Sequence, residues 1–265
     1  MRKIVNKIIS EIRLRVKGRP LFKRDWIEFK RQAAAESDGG AAFPVTKFRR
    51  FYGDRFSAAG ALGGYFWQDF ITAKKIFKAN PERHIDIGSR IDGFVTHVAS
   101  FRKIEILDIR PLGNLDENMI FRQVDLMDMP EDLENCCDSV STLHAVEHFG
   151  LGRYGDPVDY NGHIKAIRNI TRILKPGGTL YFGGPIGRQK IEFHAHRIFS
   201  PAYLWSLFKR NYEFVSFSHY EHVTGSFSEN TVIPGSPAEP DFTGFEFEVP
   251  GVAVFELRKK QEPTK

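Results

Sequence analysis

Cysteine is scarce in this 265-residue chain: Cys136 and Cys137 are the only two, and they are adjacent. Neighbouring cysteines seldom bond to each other, so a disulfide framework is excluded and a reduced, cytoplasmic protein is expected. The usual zinc pattern separates its cysteines, so no metal site is expected from this pair. Long apolar runs are missing as well. No stretch reaches the roughly 18 uninterrupted apolar residues that a membrane-spanning helix needs. Charges near the N-terminus stand too close together for a secretory signal. An apolar fraction of 42% with 24 phenylalanines nevertheless supplies a substantial core and excludes a disordered chain.

The net charge of +5 is unevenly placed. Residues 1–31 hold eleven Lys or Arg against Glu11, Asp25 and Glu28. Ile4, Ile8, Ile12 and Val16 recur every four residues with Ile9 alongside, the spacing of one helical stripe. Arg2, Lys3, Lys7, Arg13, Arg15 and Lys17 flank it, and Gly18-Arg19-Pro20 is expected to end it. A basic amphipathic helix over residues 1–17 either packs on its own domain or a second copy of the chain, or lies on an anionic membrane surface. In the latter case the protein sits at the inner face of the membrane. Nucleic acid is the least favoured partner. Residues 1–64 are expected to form this helix with a linker or cap, and residues 65–265 the main domain.

The most informative stretch is His84-Ile-Asp-Ile-Gly-Ser-Arg-Ile-Asp-Gly-Phe94. It reads as the end of a buried strand, a glycine turn and a helix start with Phe94, Val95 and Val98 on its apolar face. Such a turn lets the backbone approach a nucleotide-type ligand, and the free amides of the helix start bind its polar atoms. Ile104-Glu-Ile-Leu-Asp108 reads as a second strand ending in an acid, about 20 residues on, the spacing at which a carboxylate grips a ribose diol. A dinucleotide-binding oxidoreductase shares these features, but its pyrophosphate prefers glycine where Arg90 stands.

Val124-Asp-Leu126, Cys137-Asp-Ser-Val-Ser-Thr-Leu-His144 and Leu174-Lys-Pro-Gly-Gly178 follow in order. This succession resembles the class I S-adenosylmethionine-dependent methyltransferases. The resemblance sharpens with Tyr65-Phe-Trp-Gln-Asp69, Asp108-Ile-Arg-Pro111, Glu147-His-Phe-Gly-Leu-Gly-Arg-Tyr-Gly-Asp-Pro157 and Ala195-His-Arg197. Together they look like a methyltransferase-like family known as a domain of unknown function and often found among bacterial polysaccharide genes. The match covers roughly residues 62–200. His194 departs from it, since the family pattern leads one to expect asparagine there.

The resemblance implies a Rossmann-like α/β fold: a seven-stranded, mostly parallel sheet in the order 3-2-1-4-5-7-6, with helices on both faces. It implies S-adenosylmethionine as cofactor, with Asp86 near the methionine end, Asp108 on the ribose and Asp125 facing the adenine. Gly88, Ser89, Arg90, Gly93, Ile109 and Leu126 stand beside them. Tyr65, Gln68 and Asp69, on a helix over residues 65–78, are candidates for a lid over the cofactor. The Gly/Pro-rich stretch from Gly225 to Phe245 begins at the ligand-binding edge and reads as a lid over the acceptor or as a disordered loop, the lid being favoured.

An alcohol acceptor profits from a general base, and histidine suits that role near neutral pH. His148 and His196 are the candidate bases. His144 is either catalytic or a contact to the methionine moiety. His194 and His196 alternate as on a strand and, with Glu147 or Glu192, offer a weak case for a metal. Arg153, Tyr154 and Asp156 combine donors, an aromatic face and an acceptor, a set that suits a sugar. Arg188 and Arg197 would add charge for a phosphate or carboxylate. The sequence thus predicts a methyltransferase acting on a sugar hydroxyl of a surface polysaccharide or its precursor. An RNA or small-molecule methyltransferase and a non-catalytic scaffold remain as alternatives.

Overall fold

The computed structural model describes residues 2–37, 42–60, 62–113 and 115–261, and only the backbone of residues 2–8 and Ser10. It divides into two compact units, 1–61 and 62–265.

The first unit is built on α1 (Arg2–Ala35), which passes through Pro20 instead of stopping at Gly18. Gly18 serves a different purpose. A Cβ there would lie 2.4 Å from the Tyr52 carbonyl, so glycine is what lets the returning chain cross the helix. Phe22 and Trp26 then pack edge-on against Phe48, and Phe22 also against Tyr52. Ile9, Ile12 and Val16 of the apolar stripe are exposed, whereas the side chains of Ile4 and Ile8 lie outside the described residues.

The second unit follows the expected alternation. The long strands of its main sheet are β1 (His84–Ile87), β2 (Ile104–Asp108), β3 (Met119–Gln123), β4 (Cys137–Leu143), β5 (Leu174–Ile186), β6 (Tyr212–Glu221) and β7 (Gly251–Lys259), and Lys190–Glu192 pairs with His196–Ile198 in a separate hairpin. They lie in the order β3-β2-β1-β4-β5-β7-β6, parallel except that β7 runs antiparallel to both neighbours. A short arm, Ser226–Ser228, folds back on β6 as an eighth strand that the seven-strand expectation lacked.

Helices cover both faces. On one face, Ala166, Ile167, Ile170 and Ile173 of α4 (Gly162–Ile173) and Leu204, Trp205 and Phe208 of α5 (Pro201–Phe208) meet Ile85, Ile87, Phe182 and Phe255. On the other, Ala73 and Ile76 of α2 (Gly64–Ala79) and Val98 and Ala99 of α3 (Thr96–Ala99) meet Ile104, Ile106 and Tyr181. With both faces covered, β1 is buried at every position, and its two polar side chains need partners inside the core. The ring of His84 finds them in Ser139 and Ser141, and burial lowers its pKa to about 3, leaving it neutral.

The stretch read as a lid over the acceptor packs elsewhere. Phe242 and Phe245 pack against Phe217 at 5.4 and 5.0 Å, the latter edge-on, and Phe242 is buried. The apolar gain of burying two phenylalanines holds this loop on the sheet.

Candidate functional site

A cavity of about 850 Å³ opens at the carboxyl ends of β1, β2 and β4. The chain order reverses there, between β1 and β4, which is where open α/β sheets bind ligands. Gly88, Ser89, Arg90, Asp108, Ile109, Asp125, Leu126, Tyr65, His144, His148, His196, Arg153, Tyr154 and Asp156 all line it. Six expected site residues stand elsewhere: Asp86, Gln68, Asp69, Gly93, Arg188 and Arg197.

Asp86 is fully buried beneath the glycine turn. Its Oδ1 accepts from Ser89 Oγ and Ser141 Oγ, both at 2.6 Å, and its Oδ2 from the Ser89 amide at 3.1 Å. Ser89 Oγ in turn accepts from the Leu143 amide at 3.0 Å. The acid therefore ties the turn to β4 instead of meeting a ligand. Gly88, at φ +66, makes that turn without strain, and a Cβ on it would lie 2.9 Å from that of Ala145. Arg90 sits in ordinary extended backbone, so the turn needs no glycine there. Its guanidinium pairs with Asp92 at 3.0 Å and lies over the Tyr65 ring.

Burial pushes the Asp86 carboxyl up to about 6, against the lowering effect of its hydrogen bonds. The folded state thus holds this proton more tightly than the unfolded one. Asp86 stabilises fully below its unfolded pKa, and that contribution, roughly 2–3 kcal/mol, is lost as pH rises towards 6. Asp86→Asn keeps the two hydroxyl bonds but faces one amide with another. The stability gap between wild type and Asp86→Asn should therefore shrink by about 2 kcal/mol from pH 4 to 6.5 in urea denaturation. A gap that does not change with pH would contradict this.

Gln68 and Asp69 are buried against the sheet and the π-helical turn Ile91–Val95. A Cβ on Gly93 would stand 2.5 Å from Asp69 Oδ2, and one on Gly183 2.6 Å from Gln68 Oε1. These glycines let α2 sit down on the sheet, and burial raises the Asp69 carboxyl. Of the three lid candidates only Tyr65 reaches the cavity, where its ring lies against that of His144 at 4.4 Å, tilted by 41°.

Asp108 carries out its expected placement with an unforeseen partner. Its Oδ1 accepts from the Arg110 amide at 2.8 Å and Nε at 3.0 Å, and its Oδ2 from Nη2 at 2.6 Å. Asp125 caps a short turn just beyond β3, its carboxylate accepting from the Met127 amide at 2.9 Å.

Glu147, which the sequence offers as the start of the Glu147–Pro157 motif and as a metal partner, organises the histidines. Its Oε1 is 2.8 Å from His144 Nδ1 and 3.7 Å from His148 Nε2. Burial raises this carboxyl, but the two imidazoles and the His144 hydrogen bond more than offset that and hold it below the ordinary range. His148 donates from Nδ1 to the Ala195 carbonyl at 2.6 Å, which fixes its tautomer and leaves a lone pair on Nε2. Burial lowers the His148 pKa, with Glu147 opposing. His196 is 6.3 Å from His148, ring to ring. His194 instead turns the hairpin before His196 at φ +64, a conformation that asparagine adopts more easily, which explains the asparagine expected there. Among the described residues no group of three or more His, Cys, Asp or Glu is arranged to hold a metal ion.

Tyr154 lies under two guanidiniums, Arg110 at 4.6 Å and Arg153 at 5.0 Å, and meets His148 edge-on at 5.3 Å. Asp156 is spent on its own loop, accepting from the amides of Gly150, Gly152 and Tyr154. Arg197 is buried and donates to the carbonyls of Phe149, Glu147 and Tyr160, so it holds the loop that carries His148. Arg188 pairs with Glu248 on the exposed surface.

Residues 104–232 match the model of a family described as Caenorhabditis protein of unknown function, DUF268, a description that names neither an activity nor polysaccharides. No curated protein matches the chain. Among solved structures, a Galdieria sulphuraria protein provisionally named a sarcosine dimethylglycine methyltransferase is 13% identical. That match covers 75% of this chain and 86% of the other, with a TM-score of 0.50. The N-methyltransferase NodS of Bradyrhizobium japonicum WM9, solved with S-adenosylhomocysteine, is 11% identical over 81% and 93%, with a TM-score of 0.48. The [4+2]-cyclase SpnF is 17% identical over 68% and 76%, with a TM-score of 0.46. At such identities the likeness concerns the fold, and it agrees with the strand order. The chain has a Rossmann-like methyltransferase fold, and its segment from β2 to just past the Ser226–Ser228 arm is similar to a family of unknown function.

Proposed function

We propose that this chain is an S-adenosylmethionine-dependent methyltransferase that O-methylates a sugar hydroxyl, in a cell-surface polysaccharide or its precursor. One observation supports this above the rest. A single cavity at the switch point joins the glycine turn, Asp108 and Asp125 to an imidazole whose tautomer leaves Nε2 as proton acceptor. The cavity suits the cofactor: Gly88 makes backbone room, Ile109, Leu112 and Leu126 offer apolar surface for a base, and Asp108 can grip a ribose diol. When bound, this cofactor supplies an already activated methyl group. The chain's own residues must then align the acceptor and take its proton.

His148 does the latter, its Nδ1–H held by Ala195 and the charge it gains offset by Glu147 at 3.7 Å. Arg153 and Tyr154 line the cavity with donors and an aromatic surface of the kind sugars use. His144 lies against the Tyr65 ring and suits a contact to the methionine moiety. The protein works in the cytoplasm. No helix among the described residues is long and apolar enough to cross a membrane. The exposed Ile9, Ile12 and Val16 beside Arg13, Arg15 and Lys17 suit a peripheral site on an anionic inner leaflet.

Titration calorimetry with S-adenosylhomocysteine and with NAD tests the cofactor. Binding of the first is expected, and binding of NAD alone would overturn the reading. Asp108→Ala should weaken S-adenosylhomocysteine by about 10–150-fold, as a ribose hydroxyl loses a charged acceptor worth roughly 1.5–3 kcal/mol.

A further inference from the structure

We propose that Arg110 is a latch that the cofactor releases, and that the freed guanidinium, with Arg153, binds an oxyanion (phosphate or carboxylate) on the acceptor. The inference rests on the cofactor reading above. It starts from an inventory of lone pairs. A carboxylate offers about four acceptor sites, two on each oxygen. Arg110 already fills three on Asp108: its amide and Nε on Oδ1, and Nη2 on Oδ2. A ribose diol needs two. At least one contact from Arg110 must therefore be given up before both hydroxyls are held, and the two that a side-chain rotation releases together are those of Nε and Nη2, while the main-chain amide stays.

The side chain has a place to go. Its guanidinium already lies 4.6 Å over the Tyr154 ring, half exposed, with the Arg153 guanidinium 5.0 Å over the same ring. All three residues line the cavity with His148, whose ring meets Tyr154 edge-on. While Arg110 is clamped to Asp108, its charge is neutralised. Once a ribose replaces it, the Arg110 guanidinium stands beside the candidate base and beside that of Arg153, whose Nη1 donates to the Ala195 carbonyl at 3.2 Å, and the two together favour planar recognition of an oxyanion. Arg188 and Arg197, the arginines that the sequence offered for this task, are engaged elsewhere. Arg110 takes their role.

Binding of cofactor and of oxyanion are then coupled, and the coupling must be equal in both directions. The probes are S-adenosylhomocysteine and inorganic pyrophosphate, measured by calorimetry on the full chain at fixed ionic strength. Wild type should bind S-adenosylhomocysteine more tightly when pyrophosphate is present. Arg110→Ala should bind it about 5-fold more tightly than wild type without pyrophosphate, the size of one half-exposed carboxylate–guanidinium contact, and should show no pyrophosphate effect. Arg110→Lys, a point charge without the fork, should fall between them. Unchanged or weaker affinity in Arg110→Ala, or a pyrophosphate effect that survives the substitution, overturns the latch. Failure of wild type to bind S-adenosylhomocysteine at all would instead strike the cofactor reading and the latch with it.

Discussion

Replacing His148 by alanine is expected to lower kcat by about 10²–10⁴-fold, the usual worth of a general base acting on an alcohol. Affinity for S-adenosylhomocysteine should barely move, because Asp108 and the glycine turn are untouched. Methyl incorporation into the acceptor from labelled S-adenosylmethionine gives the first quantity, and calorimetry the second. The pH profile carries a further expectation. His148 must be neutral to take a proton, and burial holds its pKa below the ordinary imidazole value. The acid limb of kcat should therefore lie below that of an unperturbed histidine. Glu147→Gln should shift this limb lower still, because the carboxylate that favours the charged ring is gone. His196→Ala serves as the comparison, since its Nε2 faces the more exposed Glu192, 3.8 Å away on the hairpin, where His148 faces the buried Glu147. Full activity in His148→Ala would remove that residue as the base, and full activity in both His148→Ala and His196→Ala would sink the histidine-base mechanism.

What the sequence revealed and what it hid follow from the range of the interactions concerned. The β1 turn was legible because its parts are contiguous: apolar Ile85 and Ile87, then Gly88, then the helix start. The strand order followed from the resemblance that the succession of motifs carries, and the place of Asp108 at the end of β2 from its spacing. Asp86 was misplaced because its partner Ser141 lies 55 residues away on β4. A hint was nevertheless present. In a parallel strand covered on both faces, an acid between two isoleucines has no solvent to face and must find hydroxyls. Gly18 and Pro20 read as a helix stop by local rules, yet the packing of Tyr52, Phe22 and Trp26 makes the helix worth continuing. The role of Arg110 was hidden in plain view. It stood in the quoted Asp108-Ile-Arg-Pro111 motif, but only side-chain geometry shows it folding back on Asp108.

Arg197 separates the two accounts most sharply. The sequence made it an acceptor ligand; the structure makes it the clasp of the loop from Glu147 to Tyr160. Its Nη1 donates to Phe149 O at 2.6 Å and to Glu147 O at 3.4 Å, and its Nη2 to Tyr160 O at 3.1 Å. Only 4% of the residue is exposed. Arg197→Met fills most of the volume but leaves buried carbonyls without a donor. The expected loss is about 3–5 kcal/mol, more than a single charged hydrogen bond, because several acceptors are orphaned together. For a domain of this size that corresponds to a fall in Tm of roughly 10 °C by calorimetry. Arg197→Lys should recover part of it, since an ammonium can still donate to some of these carbonyls but cannot span them as a planar fork does. Activity should fall in step, because the same loop presents His148 and Tyr154 to the cavity. A variant with unchanged Tm and a raised KM for the acceptor would return Arg197 to the role the sequence first suggested.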